Sequence, residues 1–167
     1  SYRSEGPLDM RFDQSNGSGA GKLIDQADRD SLAQIFKEYG EERLASRIAK
    51  SIKEMTGMNT IADLREAIRR CTPPNHRDRT FARIFQALRI AVNGELDILQ
   101  QFLTKFIDSL YPGGRIVIIS YHSLEDRLVK HSFKELASGG TLDILTKRPI
   151  TAAAEERRIN RRAGSAK

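Results

Sequence analysis

GGRIVIISYHSLEDRLV, residues 113–129, is the stretch of sequence that decides the predicted fold. Its apolar and β-branched run at 116–119, closed by Tyr121, is typical of a strand covered on both faces, as in a parallel sheet. Four polar or ionisable residues follow: His122, Ser123, Glu125 and Asp126. The spacing of Ser123 and Asp126 resembles a capping box at the start of a helix. Because ligands bind outside the carboxyl ends of strands in open α/β sheets, we predict a functional site here.

The elements around this stretch predict part of a larger sheet. An amphipathic helix at 95–111 leads through the turn Pro112-Gly113-Gly114 into the strand. A helix at 124–136 and a short β-like run at 141–145 follow. This order is that of the late half of a doubly wound α/β sheet. We therefore expect the earlier strands, and any cofactor loop that they carry, upstream of Ser1.

The region from residue 28 to residue 71 is predicted to be a small helical subdomain. Asp30 is expected to cap a first helix at 31–39, and residues 41–55 repeat its apolar spacing. A third helix at 60–70 starts with a second predicted capping box, Thr60 and Asp63. The outward faces alternate Lys, Arg and Glu, which fits either a solvated surface or an RNA-facing one.

A helix at 80–93 is apolar on nearly every side, so we expect it to be buried. Its polar members, Gln86, Arg89 and Asn93, then need partners, because buried amide and guanidinium groups are hydrogen-bonded. Gly94 is expected to end this helix.

Residues 1–27 lack periodicity and are rich in Gly, Ser, Asp and Asn, so they are predicted to form a long loop. Asp9 and Arg11 flank Met10 in this loop, and core packing does not explain an acid and a base at these two positions. The segment GSGAGK, residues 17–22, resembles a phosphate-binding loop, but the spacing of its glycines is wrong, no Ser or Thr follows the lysine, and no strand precedes it. We interpret this segment as a connector.

The composition of the 167 residues, 39% hydrophobic and 30% charged, is that of a soluble globular protein. No apolar run is long enough to span a membrane. The single cysteine, Cys71, excludes an internal disulfide, and the three histidines lack metal-binding spacing, so we expect an intracellular protein without a metal. The net charge of +6 comes mostly from residues 147–167, which hold seven Lys or Arg and two Glu. A solvated tail and a nucleic-acid contact both fit this pattern.

Five blocks of the sequence together resemble a known family. They are GPLDMR (6–11), KEYGEERLASRIAKSI (37–52), FQALRIAVNGEL (85–96), PGGRIVIISYHSLEDRLVK (112–130) and LTKRPI (145–150). In this order they are similar to the bacterial-type 16S rRNA (cytosine-N4)-methyltransferase family. The sequence departs from the family pattern at three positions. Phe12 stands where methionine is common, Tyr121 where phenylalanine is frequent, and Gly94 where an acidic residue is usual. In that family a glycine-rich loop for S-adenosylmethionine precedes GPLDMR, so the resemblance implies that the cofactor-binding residues lie upstream of Ser1.

The resemblance implies a fold and a set of domains. The fold would be α/β, the C-terminal part of a Rossmann-like S-adenosylmethionine-dependent methyltransferase with an inserted small helical domain. Residues 1–27 would be an active-site loop and connector, and 28–80 a helical insertion that binds RNA. Residues 81–150 would complete the methyltransferase domain, and 151–167 would form a basic tail.

The implied function is N4-methylation of a cytidine in small-subunit rRNA. Such an enzyme extrudes the base, aligns its amine with the methyl donor and offers an acceptor for an amine proton. The candidate catalytic residues are Asp9, His122 and Ser123. The candidate substrate-binding residues are Arg11, Gln86, Arg89, Asn93, Glu125 and Asp126.

Two readings of the function stay open at this point. The alternative to an enzyme is a non-catalytic RNA-binding module derived from the family. The expected partner is small-subunit ribosomal RNA, with no DNA and no membrane, and a homodimer is left open. The expected location is the cytoplasm, or an organelle if the protein is eukaryotic.

Overall fold

The computed structural model describes residues 3–146 and 148–167, without the side chains of residues 161 and 162. Its helices are α1 (Ala20–Gln26), α2 (Arg29–Glu38), α3 (Ala45–Lys53), α4 (Ile61–Cys71), α5 (Arg77–Asn93), α6 (Glu95–Lys105), α7 (Ser123–Ser138) and α8 (Ala154–Ile159). Short 3₁₀ helices cover Pro74–His76, Phe106–Ser109 and Arg161–Ser165. The chain divides into two compact units, one ending at Glu95 and the other beginning at Leu96.

Local signals start and end the helices of the first unit. The predicted capping box of α4 is confirmed, since the Thr60 side chain accepts from the Asp63 N–H and the Asp63 carboxylate accepts from the Thr60 N–H. The predicted cap of α2 is wrong by two residues: Asp28 accepts from the Ser31 N–H. Gly94 ends α5 in the left-handed conformation, with φ 59°, as predicted.

Helices α1 to α5 contribute side chains to one apolar core. The largest fully buried side chains are Ile24, Leu32, Phe36, Ile48, Ile52, Leu64, Ile68, Ile84, Leu88 and Ile90. Each contributes about 1.5–3 kcal/mol through the removal of apolar surface from water. Helix α2 approaches α5 closely at Gly40, where a Cβ atom would lie 2.7 Å from the Phe36 oxygen and 2.9 Å from the Arg83 oxygen.

Residues 20–26, predicted as loop, form helix α1 instead. Gly19 precedes the helix in an extended conformation, and Ala20 and Ile24 are buried in the core. The Ala20 N–H donates to the Asp9 oxygen at 2.6 Å, and the Gly21 N–H donates to the Leu8 oxygen at 2.8 Å. The preceding loop thus satisfies backbone donors that the first turn of a helix leaves unpaired, which the composition of the segment did not indicate.

The second unit contains α6, α7 and α8. The Phe106 ring lies 5.8 Å from the Phe102 ring and 5.9 Å from the Phe133 ring of α7, so three aromatic rings pack together. The predicted turn at Pro112-Gly113-Gly114 is confirmed, since the Gly114 N–H donates to the Tyr111 oxygen and Gly113 has φ 79°. The helix predicted to reach residue 111 becomes a 3₁₀ helix at Phe106–Ser109.

The predicted strands do not form within residues 3–146 and 148–167. Residues 115–121 and 142–146 form no β-ladder. Among the described residues, one isolated β-bridge joins Pro7 to Thr60. Val117 and Ile119 are 86% and 63% exposed instead of buried. A strand exists only through hydrogen bonds to a neighbouring strand, and none of the described residues provides one for this segment. The Rossmann-like α/β architecture is therefore not confirmed.

The basic tail contains α8 and a 3₁₀ helix in its described part. Ser120 and Lys167 exchange backbone hydrogen bonds of 3.1 and 3.0 Å. Lys147, the first of the seven basic residues at 147–167, lies outside the described residues. Over the part of the chain that the structure describes, no helix has the length and apolarity needed to cross a membrane.

Candidate functional site

Asp9 and Arg11 form a two-pronged ion pair in the PLDMR loop, residues 7–11. Arg11 Nε donates to Asp9 Oδ1 at 2.7 Å and Nη2 donates to Oδ2 at 2.8 Å. The Arg11 backbone N–H donates to Oδ1 as well, at 3.1 Å. These hydrogen bonds lower the pKa of Asp9 to about 2. Those from the guanidinium have the largest effect, and that from the backbone N–H the next largest. The same pair raises the pKa of Arg11.

The PLDMR loop holds a strained backbone conformation. Met10 has φ 66°, in the left-handed region that a non-glycine residue enters at a cost of about 1–2 kcal/mol. The surroundings fix the loop from several sides: the Leu8 N–H donates to the Asn59 oxygen, and the Leu8 and Asp9 oxygens accept from α1. Strain of this kind persists only where neighbouring contacts impose it, and it is frequent at functional sites.

Asn93, at the end of α5, fastens the loop. Its Nδ2 donates to the Met10 oxygen at 2.9 Å and to the Arg89 oxygen at 2.8 Å. Its Oδ1 accepts from the Phe12 N–H at 2.8 Å. Both ends of the amide are therefore bound to backbone, so in this structure Asn93 positions the loop around the strained residue.

Gln86 and Arg89, the other two polar residues of α5 that were predicted to need partners, have them within the first unit. Arg89 donates through Nε and Nη2 to the two carboxylate oxygens of Glu95, at 2.7 and 2.9 Å. Gln86 donates to the Tyr39 oxygen at 3.1 Å. Their binding to substrate stays a prediction. Glu95 was not among the predicted site residues, although an acid just beyond the glycine that ends the helix is a natural partner for a half-buried arginine.

The polar residues after 121 form the start of α7 in the second unit. The predicted cap of Ser123 and Asp126 is wrong: His122 Nδ1 accepts from the Glu125 N–H at 3.4 Å. Glu125 Oε2 in return accepts from the Tyr121 and His122 N–H groups at 2.8 and 3.3 Å. The capping pair is therefore His122 and Glu125, one residue earlier than predicted, and the imidazole nitrogen serves as the acceptor.

This arrangement constrains both side chains of the new capping pair. Acceptance at Nδ1 assigns the proton of the neutral His122 ring to Nε2. Nε2 lies 3.3 Å from Glu125 Oε1. Glu125 therefore contacts both ring nitrogens of His122, Nδ1 through its backbone N–H and Nε2 through its carboxylate. Asp126 is held from the tail, with the Lys167 ammonium 3.1 Å from its Oδ2.

The structure thus groups the candidate residues by unit. Asp9, Arg11 and Asn93 belong to one connected set in the first unit. His122, Ser123, Glu125 and Asp126 lie within the first turn of α7 or directly before it in the second unit. Gln86 lies apart from the PLDMR loop, with its hydrogen bond directed to α2's end. All of their functional roles stay predictions.

The GSGAGK segment cannot serve as a phosphate loop in its present conformation. It enters α1 from a loop without a strand, and the N–H groups of Ala20 and Gly21 are bonded to the PLDMR loop. A Cβ atom on Gly19 would lie 3.1 Å from the Asp9 Cα, and one on Gly21 would lie 3.1 Å from the Met58 oxygen. These glycines therefore permit the close approach of protein backbone.

Comparisons with known proteins agree over the whole chain. The MraW methylase family matches residues 1–167. Proteins named ribosomal RNA small subunit methyltransferase H are similar throughout: that of Crocosphaera subtropica is 46% identical over all of this chain and 53% of its own length. The Synechocystis protein is 48% identical over 55% of its length, and the Kosmotoga olearia protein 49% over 57%. The chain spans about half the length of the curated relatives it matches.

Proposed function

The chain belongs to the MraW methylase family, and we propose that it contributes the substrate side of an enzyme that methylates N4 of a cytidine in small-subunit rRNA. The observation that carries this proposal is the similarity to the named rRNA methyltransferases, 46–49% identity over the entire chain. Family members use S-adenosylmethionine as the methyl donor.

The described residues do not fit the cofactor by themselves. Such cofactors are bound at a glycine-rich turn between a strand and a helix. Residues 3–146 and 148–167 contain no strand, and in the GSGAGK segment the N–H groups of Ala20 and Gly21 are bonded to the PLDMR loop.

We assign Asp9 the role of acceptor for the cytosine amine. A carboxylate has about four lone-pair sites, and three are used by Arg11, so one remains for a substrate N–H. With its pKa at about 2, Asp9 is ionised at neutral pH and is a weak base. A weak base suffices, because a methylated and still protonated exocyclic amine is a strong acid. Arg11 is then the residue that orients the carboxylate.

His122 and Ser123 remain the proposed catalytic residues of the second unit. The neutral imidazole of His122 carries both a donor and an acceptor nitrogen. Glu125 fixes the ring by its contact with Nε2 and by the cap. Glu125 and Asp126 already supply negative charge at the start of α7, so we expect Ser123 and these acids to contact hydroxyl or amine groups of the RNA.

The test measures methyl transfer and RNA binding separately, using the protein in its full natural length. Labelled S-adenosylmethionine is the donor and small-subunit rRNA the acceptor. We expect Asp9→Ala and His122→Ala each to reduce transfer at least about a hundredfold, the usual loss for a group that moves a proton, with less than a threefold change in RNA affinity. Asp25→Ala and His131→Ala are the matched controls, since both side chains are exposed. Normal transfer by both site variants would refute the assignment.

A non-catalytic RNA-binding module is the second candidate function. The observation that favours it is the lack of a cofactor site among the described residues. It would be supported by salt-sensitive rRNA binding without methyl transfer, and excluded by transfer. A cytoplasmic location and the absence or presence of a dimer remain predictions under either function.

A further inference from the structure

A pocket of about 370 Å³ opens on the first unit, and its lining includes none of the PLDMR residues. It is lined by Arg3, by Arg65 of α4, and by Asp78 and Phe81 from the start of α5. Phe81 is only 5% exposed and is the one apolar residue among the described residues of the lining, and the Arg69 guanidinium lies 5.9 Å from its ring centroid. The volume falls within the range of small-ligand sites.

Two opposite charges line this pocket without neutralising each other. Among the residues that the structure describes, the side chains of Arg65 and Asp78 have neither an ion-pair nor a hydrogen-bond partner. Arg65 is nevertheless half-buried. An arginine and an aspartate beside one cavity would normally pair, so their separation leaves one donor fork and one acceptor available to a ligand.

The pocket lies in a strongly basic part of the chain. Between residues 64 and 79 the charged side chains are Arg65, Arg69, Arg70, Arg77 and Arg79 against Glu66 and Asp78. Such an excess attracts a polyanion. A bare anion would still be repelled by Asp78, so the fitting ligand carries a phosphate for the guanidinium and a hydroxyl or amine for the carboxylate.

We propose that this pocket binds one single-stranded nucleotide of RNA, with its phosphate at Arg65 and Arg3 and its ribose 2′-hydroxyl at Asp78. The inference rests on the proposed function, because that function supplies RNA as the partner. Arginine is suited to two-pronged phosphate binding. The 2′-hydroxyl is the donor that distinguishes RNA from DNA, so a carboxylate acceptor would give the pocket a preference for RNA.

The experiment uses the complete chain and a fluorescein-labelled single-stranded RNA 12-mer, with the DNA 12-mer of the same sequence for comparison. Fluorescence anisotropy gives the dissociation constant as a function of salt. Arg65→Gln should weaken RNA binding about tenfold and reduce the slope of log K against log salt by about 0.7. Arg65→Lys should keep the slope, because the charge remains. Arg43→Gln, an exposed arginine outside the pocket, should change neither quantity.

Asp78→Ala tests the ribose contact. We expect it to reduce the preference for RNA over DNA at least about threefold. Equal effects on RNA and DNA would mean that this carboxylate only complements the N-terminus of α5 and would overturn the ribose assignment.

The outcomes separate this inference from the proposed function. If the unchanged chain binds RNA and Arg65→Gln behaves like Arg43→Gln, the pocket assignment fails and the proposed function stands. If the unchanged chain binds no RNA, both fail. Circular dichroism checks that each variant folds. If Arg65→Gln does not fold, Arg65→Lys takes its place. A slope of log K against log salt that is lower for Arg65→Lys than for the unchanged chain then overturns the phosphate contact.

Discussion

Asn93→Ala should release the PLDMR loop without unfolding the helices around it. The substitution removes the amide that joins the end of α5 to the Met10 oxygen and the Phe12 N–H. Each of these hydrogen bonds contributes about 1 kcal/mol net, because water reaches both groups once the loop moves. Alanine in a helix regains about 0.5 kcal/mol relative to asparagine. The expected loss is therefore about 1.5 kcal/mol.

Amide hydrogen exchange measures this local loss directly. Ala20 and Gly21 donate to the Asp9 and Leu8 oxygens, so their N–H groups report whether the loop is in place. A loss of about 1.5 kcal/mol in the opening free energy should accelerate their exchange about tenfold. Global unfolding is a less direct measure, because two compact units need not unfold together.

Two further variants make the result specific. Asn93→Asp keeps an acceptor for the Phe12 N–H and loses the donor to the Met10 oxygen, so we expect an intermediate effect. Gln100→Ala, which truncates an exposed amide of α6, should leave the exchange of α1 unchanged. Unaltered exchange at Ala20 and Gly21 in Asn93→Ala would refute the positioning role.

Three other predictions concern single side chains and backbone sites. Because the pKa of Asp9 is lowered, its ion pair stabilises the fold fully above pH 3.8, the ordinary pKa, and loses this effect as the pH falls toward about 2. The difference in unfolding midpoint between the unchanged chain and Asp9→Asn should therefore shrink across that pH window. A constant difference would contradict this prediction. Thr60→Ala should cost about 1 kcal/mol in urea unfolding through loss of the cap, whereas the exposed Thr56→Ala should cost almost nothing. Gly40→Ala should cost about 1–3 kcal/mol of stability, because its Cβ would meet backbone oxygens at 2.7 and 2.9 Å. Gly139→Ala, whose Cβ would have its nearest neighbours at 3.7 Å, should be tolerated. Equal thermal stability of the two glycine variants would refute the close approach.

Local signals in the sequence were sufficient for most of the helical unit. Thr60 and Asp63 carry their cap within four residues, and Gly94 ends α5 through its own conformation. The apolar spacing of α2 to α5 likewise determines which side chains are buried, because helical periodicity is a property of the segment itself. These predictions needed no knowledge of distant residues.

Interactions between distant residues were beyond the sequence analysis. The strand predicted at 116–119 depended on a neighbour that the described residues do not supply. Helix α1 depends on the oxygens of Leu8 and Asp9, more than ten residues earlier. The choice of His122 as the cap of α7, in place of Ser123, depends on how the chain enters the helix. Each of these is a matter of tertiary context, which propensity does not contain.

The identity of the methylated nucleoside tests the central proposal most directly. After incubation of the protein in its full natural length with S-adenosylmethionine and small-subunit rRNA, the rRNA is digested to nucleosides and analysed by mass spectrometry. We predict N4-methylcytidine as the product, with its yield lost in Asp9→Ala and kept in Asp25→Ala. A methyl group on a ribose hydroxyl or on a ring carbon, or no methylated nucleoside at all, would contradict the proposed function.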